Sequence, residues 1–252
     1  TAGIRQEEGL QQVNTYDLFS GVDSVIDKSI EEDYQLPSMT LTYLPEFDEN
    51  LQIRFGASQT IARPTFRELS PTLFIDVDTD RVIAGSLYLE NSEIDNIDLR
   101  LEYYLGFNQF FTAGIFSKEI LKPIEETVNE SGDLIITSYQ NVPLAEINGF
   151  EIEYEQLFEA IMDSPNDLLV KFNYTQTESE VIVNPGDTYI NSIGTLVDAQ
   201  NLLANGRDTR LQGQSDTIAN LQIGLDNLQN QTQATLIVNY VSDRVRARGI
   251  DV

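Results

Sequence analysis

Three glutamates at alternate positions, Glu151, Glu153 and Glu155, are the most chemically suggestive residues of this 252-residue chain. In an extended strand, residues i and i+2 share a face roughly 6–7 Å apart, so two of these carboxyls could stand as a glycosidase pair. Paired carboxylates are equally a mark of a wet strand face, and no surrounding motif supports catalysis. Asp76, Asp78 and Asp80 match the opening of a calcium-binding loop. The match then fails, with Arg81 where the turn glycine belongs and Leu87 where the bidentate glutamate belongs. The chain has no histidine and no cysteine. That removes the commonest zinc ligand, the usual general base, the Ser-His-Asp arrangement and any disulfide or thiolate site. We therefore expect no enzyme activity, no cofactor and no metal site.

The elements that carry these residues alternate strictly. Ile97, Leu99, Leu101, Tyr103, Leu105 and Phe107 fall on one face of a strand, with Asp98, Arg100, Glu102 and Tyr104 on the other. Leu51, Ile53, Phe55 and Ala57 oppose Gln52, Arg54 and Gly56, and Phe150, Ile152 and Tyr154 oppose the three glutamates. Further strands are read at 39–43, 168–175, 219–226 and 234–240. Phe110–Ile120 is ambiguous, because Phe110 and Phe116 fall opposite Phe111, Ala113 and Ile115. Several charges on one strand face are costly in a dry core but suit a watery lumen, with the apolar face toward lipid. A soluble sheet alternates in the same way, so a β-sandwich surface-binding module is the competing reading.

Connection lengths favour the barrel. About ten strands are expected, the first two at 2–7 and 11–19, joined alternately by short and long segments as barrel rims require. The short ones are 8–10, 45–50, 108–109, 159–166 and 227–231; the long ones are 19–37, 63–95, 122–145 and 181–214, with a short helix within 195–204. Acidic residues crowd the long segments, as in Asp23, Asp27, Glu31, Glu32 and Asp33 against Lys28. No run of about 18 apolar residues exists for a membrane helix. The net charge of −26, from 41 acidic and 15 basic residues, disfavours a nucleic-acid partner. It suits a solvated acidic surface, or divalent-cation contact beside lipopolysaccharide. Thr1–Arg5 does not read as a signal peptide, so the chain is expected to be a mature segment or a fragment.

Several motifs then resemble one family. Leu36–Tyr43 is followed by a strand ending Phe55-Gly56-Ala57-Ser58 and by Arg63-Pro64-Thr65-Phe66-Arg67-Glu68-Leu69. Asn96-Ile97-Asp98-Leu99-Arg100-Leu101-Glu102-Tyr103, Phe116-Ser117-Lys118-Glu119-Ile120, Gly149-Phe150-Glu151-Ile152-Glu153 and Leu211-Gln212-Gly213-Gln214-Ser215 follow in order. Together they resemble the C-terminal half of the barrel of TonB-dependent outer-membrane receptors. Gly85-Ser86-Leu87-Tyr88-Leu89 departs from the family's Gly-Asn-Pro segment. The resemblance implies an all-β fold: an antiparallel transmembrane segment from an up-and-down barrel of about 22 strands, integral to a Gram-negative outer membrane. Residues 1–252 would be part of that barrel, without its plug domain and last strands.

The implied function is energy-coupled import of a scarce nutrient. Its partners would be the receptor's own N-terminal plug, TonB acting through the plug, the lipopolysaccharide membrane and a small-molecule or oligosaccharide ligand. The resemblance places Asp98 and Glu151 where lumen carboxylates meet plug arginines; Arg54, Arg100, Glu102 and Glu153 share their face. Arg63, Arg67, Tyr88, Tyr139 and Tyr189 are the ligand-side candidates, with Tyr34 and Phe74 as further loop aromatics. The motif set leans slightly to oligosaccharide, with iron-siderophore as the alternative.

Overall fold

The computed structural model describes residues 1–16, 25–77, 81–106, 109–131, 134–159, 165–192, 194–203, 208–227 and 229–249. In chain order the strands are β1 (Ala2–Tyr16), β2 (Val25–Tyr43), β3 (Leu51–Ala62), β4 (Phe74–Asp76), β5 (Arg81–Ile83), β6 (Ser92–Gly106), β7 (Gln109–Leu121) and β8 (Ile124–Ser131). There follow β9 (Leu134–Asn141), β10 (Leu144–Phe158), β11 (Asn166–Ile182), β12 (Thr188–Ile190), β13 (Leu196–Asp198), β14 (Thr217–Asn227), β15 (Thr232–Val241) and β16 (Arg248–Gly249). One helical turn, α1 (Phe66–Leu69), precedes β4.

Nine long strands form a single antiparallel wall in the order β1-β2-β3-β6-β7-β10-β11-β14-β15. Wall neighbours are consecutive along the chain once the short strands are set aside, so the connections alternate between the two ends. Residues 44–50 turn at one end and 63–91, 122–143 and 183–216 leave from the other; the expected short connection 159–166 lies mostly outside the described residues. The long excursions do not stay irregular. With β16, which follows the last wall strand, they build a second sheet, ordered β16-β8-β9-β5-β4, and 183–216 adds a separate β12–β13 pair. The helix expected within 195–204 is instead β13 followed by a 3-10 turn, Ala199–Leu202, opened by the Asp198 side chain accepting from Gln200 N.

The first two expected strands are one. β1 runs unbroken through 8–10, and Glu7–Leu10 pair in continuous register with Tyr34–Glu31. The expected loop 19–37 is therefore largely β2; the connection lies at 17–24, outside the described residues, and the wall holds nine strands rather than ten. Composition misleads here in two ways. Gly9 reads as a turn, yet it sits in a strand whose bare surface receives Arg63: a Cβ there would stand 3.0 Å from the Arg63 guanidinium. The run Ile30–Leu36 reads as an acidic loop, yet Ile30 and Leu36 both turn into the same buried side.

The two wall faces differ sharply. Ile97 (54% exposed), Ile115 (59%) and Leu236 (58%) typify an uncovered apolar face. No second sheet of the described residues lies on it, which rejects the sandwich reading. The other face carries the charges. Phe116 also belongs there, over Gly149, where a Cβ would come within 2.6 Å of its ring; this resolves the ambiguity of β7.

The wall has one interruption. β2 pairs with β3 only over Ser38–Tyr43 and Ile53–Ser58, although both strands continue past it. Thr40 exchanges both backbone hydrogen bonds with Thr1, so its even-numbered neighbours face β1 and odd-numbered positions face β3. Pro37, lacking an N–H, falls where the next donor to β3 is needed, and the ladder stops there.

At the loop end, buried residues form two small cores. Val142, Ala145, Val181, Ala199 and Leu202 join two excursions to the wall. Ile30, Leu69 and Leu89 join β2 to the 63–91 segment. A reciprocal capping box starts α1: Glu68 N donates to Thr65 Oγ1 at 3.3 Å and Thr65 N to Glu68 Oε2 at 2.7 Å.

Candidate functional site

Register builds a ladder of charges across the polar wall face. Arg54 lies opposite Arg100, and Arg100 opposite Gly114, which in turn faces Glu151. Two residues further along, Glu102 pairs with Thr112, and Thr112 with Glu153. Two arginines directly opposite would repel. Glu102 relieves this: it is 5% exposed, lies 3.3 Å from Arg54 and 3.5 Å from Arg100, and accepts from the Tyr104 hydroxyl at 2.8 Å. Gly114 leaves space for Arg100 to lean across β7, reaching Glu153 at 3.2 Å, Glu151 at 3.7 Å and the Thr112 hydroxyl at 3.2 Å. Lys171 closes the row on Glu155 at 2.8 Å.

This geometry disposes of the glycosidase pair. Glu151 and Glu153 share the Arg100 guanidinium instead of flanking a cleft that could hold a sugar between them. Five of the six lumen candidates, Arg54, Arg100, Glu102, Glu151 and Glu153, form this one network. Asp98, the sixth, is exposed and has no hydrogen-bond or ion-pair partner among the described residues. It fills the space above Gly56, where a Cβ would lie 2.4 Å from Asp98 Oδ1. Gly56→Ala is expected to destabilise the wall by only about 0.5–1 kcal/mol, because the exposed Asp98 side chain can rotate off the added methyl group. Adding Asp98→Ala should restore most of it, as read by unfolding of the whole receptor; no recovery would remove this account of Gly56.

The loop-side candidates separate into two groups. Tyr88 and Tyr189 meet in one cavity of about 400 Å³, with Lys122, Glu90 and Asn141 also lining it. Gly194, at φ +83°, gives Tyr88 its place: a Cβ there would be 2.4 Å from the ring. The Lys122 ammonium pairs with Glu90. The other three make contacts within the chain. Arg63 pairs with Glu7 at 2.5 Å, Arg67 lies 4.3 Å over the Phe74 ring, and Tyr139 packs on the Ile30–Leu69–Leu89 core. Burial, reinforced by the Glu126 charge, pushes the Tyr139 hydroxyl above its usual pKa. Tyr34 donates to Glu32 and accepts from Asn91. Asp78 and Asp80 lie outside the described residues, and no metal-binding cluster occurs among the described ones.

A latch on the loops was not foreseen. Arg248 and Glu125 form a buried ion pair, and Arg248 also donates to Asp208 O at 2.6 Å and Arg210 O at 2.7 Å. Gln212 donates to Glu126 O, accepts from Glu126 N at 2.6 Å, and so imitates a strand partner. Gly213, at φ +76°, donates to Val245 O at 2.9 Å. Arg210 binds Asp208 at 2.5 Å and Asp216 at 3.1 Å, and holds the Asp208 carboxyl below its usual range. The Leu211–Ser215 motif marked the place, but nothing in sequence linked it to residues 125 and 248.

A wall of consecutive antiparallel strands, apolar and bare on one face, charged on the other, with every long excursion at one end, defines a piece of a β-barrel membrane protein. The TonB dependent receptor-like, beta-barrel family matches residues 1–249, and the chain belongs to that family. The fold is shared with solved receptors. The Serratia marcescens hemophore receptor HasR, solved with its hemophore HasA and heme, aligns with a TM-score of 0.58 at 10% identity over 96% of this chain and 40% of its own. The siderophore receptor PirA of Pseudomonas aeruginosa gives 0.53 at 13% identity over 95% of this chain and 40% of its own. The ferric enterobactin receptor PfeA gives 0.51 at 14% identity over 96% of this chain and 32% of its own. The chain thus spans well under half of each. A search of curated proteins finds no match.

Proposed function

We propose that this chain is part of the barrel of a TonB-dependent active transporter in a Gram-negative outer membrane. The observation that carries the proposal is the pairing of faces: a bare apolar face suited to lipid, and behind it an ion-paired face suited to water or a charged partner. The partner for the charged face is the receptor's own plug, through which TonB would act. Asp98, unpaired among the described residues and beside the Arg100 network, is the foremost position for a plug arginine. Ligand would be met at the end bearing the long excursions, where Tyr88 and Tyr189 share a cavity.

For the ligand, oligosaccharide remains the slight preference. Two tyrosines beside a Lys–Glu pair and an amide suit a polyhydroxylated ring, stacked on one side and hydrogen-bonded on its edge. The surplus of acidic residues also disfavours strongly anionic ligands. A siderophore is the second reading, favoured by what PirA and PfeA bind; at 13% and 14% identity that likeness speaks for fold rather than ligand. A deletion strain tested on single glycans and under iron limitation separates the two. Loss of growth on a glycan alone is expected; loss under iron limitation alone would reverse the preference. Tyr88→Ala and Tyr189→Ala in the whole receptor should each weaken uptake by roughly 3–10-fold.

A further inference from the structure

Lys122, between β7 and β8, has a backbone φ of +53°, a left-handed setting that residues other than glycine adopt rarely. It also precedes Pro123, whose ring drives the residue before it toward extended backbone with negative φ. Among the described residues, Gln231 is the only other non-glycine residue with positive φ, and it lies in the turn before β15 at the opposite end of the wall. The corner at Lys122 is held from several sides. Lys122 N donates to Pro143 O at 3.1 Å, and Val142 N donates to Pro123 O at 2.9 Å. Lys122 O accepts from Ser92 Oγ at 2.8 Å and from Asn141 Nδ2 at 2.6 Å. Strain over-determined in this way is a mark of functional positions.

Every one of those bonds uses the backbone of Lys122, and glycine would supply the same backbone without strain. What lysine adds is its ammonium. The ammonium pairs with Glu90, but both side chains are exposed, at 57% and 46%, and such a pair contributes little to stability. The pair is nonetheless set with care. The Asn141 carboxamide that holds Lys122 O also accepts from Glu90 N at 2.9 Å and donates to Glu90 O at 3.1 Å. Lys122 and Glu90 both line the cavity shared by Tyr88 and Tyr189. An ammonium only donates and a carboxylate only accepts. Side by side they match two neighbouring hydroxyl groups, one accepting from Lys122 and the other donating to Glu90.

We propose that Lys122 and Glu90 are the specificity-determining pair of this cavity, and that they grip a neutral sugar by a vicinal diol while the tyrosine rings cover its apolar face. The inference rests on the oligosaccharide preference of the proposed function and names the part of the sugar that is read. The strained backbone at Lys122 is kept because it aims the ammonium into the cavity.

The test is binding of the full-length receptor, in mild detergent, to an array of neutral oligosaccharides, their monodeoxy analogues and uronic-acid oligosaccharides. Lys122→Gly and Glu90→Gln should each weaken binding to a neutral oligosaccharide by roughly 10-fold, the scale of one charge-assisted hydrogen bond. Removing either of two adjacent hydroxyls should cost the unaltered receptor a similar factor, and one of the two removals should cost Lys122→Gly nothing more. Hydrogen exchange at the Val142 amide, which reports the corner, should stay at least as slow in Lys122→Gly as in the unaltered receptor. Undiminished sugar binding by Lys122→Gly overturns the pair and leaves the oligosaccharide reading standing. Lost protection at Val142 shows that the side chain serves the fold, and also overturns it. So does a preference for uronic-acid oligosaccharides. Should Lys122→Gly fail to assemble, Lys122→Asn decides, since asparagine also tolerates positive φ. An unaltered receptor that binds no oligosaccharide on the array overturns the oligosaccharide reading and this inference with it.

Discussion

Replacing Arg248 with methionine in the whole receptor should cost about 3–5 kcal/mol in the loop region, because it strands the Glu125 carboxylate in a buried site. Both side chains are nearly inaccessible, at 4% and 0% exposure, so water cannot replace the lost partner. Two further hydrogen bonds disappear with the guanidinium, those to the carbonyls of Asp208 and Arg210. The effect should be local. Limited proteolysis should cut between 122 and 143 or between 183 and 216 while the wall remains resistant. Glu125→Gln should be similarly damaging, since Arg248 then lacks its counter-charge. The double change Glu125→Leu with Arg248→Met should recover much of the loss, because a buried pair exchanged for apolar residues of similar size is often neutral. Wild-type protease resistance in Arg248→Met would show that the latch does not hold the loops.

Gly85→Ala should be nearly as severe, by a different route. Its Cβ would lie 2.4 Å from Ser70 O, 2.5 Å from Glu68 O and 2.7 Å from Arg67 O. These are backbone atoms at the end of α1, unable to rotate away as a side chain can. The same contact carries the hydrogen bonds Gly85 N to Ser70 O at 2.8 Å and Ser86 N to Glu68 O at 2.6 Å. The expected cost is about 3 kcal/mol, the upper end for overpacking. It should detach the 63–91 segment from the Leu69–Leu89 core. Hydrogen exchange at Leu69, Ser70, Gly85 and Ser86 is the direct measurement; unchanged protection there would defeat the prediction.

Much of the wall was legible because strand faces repeat every two residues. From Ile97 to Tyr104 the pattern assigns each side chain to a face, and the structure agrees; at Leu105 the β6–β7 register shifts. The charge ladder was legible as a set of residues but not as a network. That Arg100 reaches Glu153 depends on the register of β6 with β7 and β7 with β10, and on the space over Gly114. Sequence failed where composition and period disagree. Gly9 and the acidic run 31–33 look like loop residues, yet strand pairing over the whole of β1 and β2 outweighs their individual preferences. It failed again in the long excursions, whose strands are short and whose partners are remote. Tyr88 and Tyr189 could be nominated separately as aromatics, but only the folded excursions put them around one cavity. The capping box at Thr65–Glu68 is the exception, since its spacing states its geometry.

The parallel pairing of β16 with β8 bears on the order in which the molecule is built. Arg248 and Glu125 are 123 positions apart, and every wall strand from β10 to β15 lies between them. Closing so long a segment carries an entropic cost that the small loop sheet cannot offset by itself. The wall must bring those ends together first. The latch is therefore a late contact, and its closure reports that the preceding strands have taken their places.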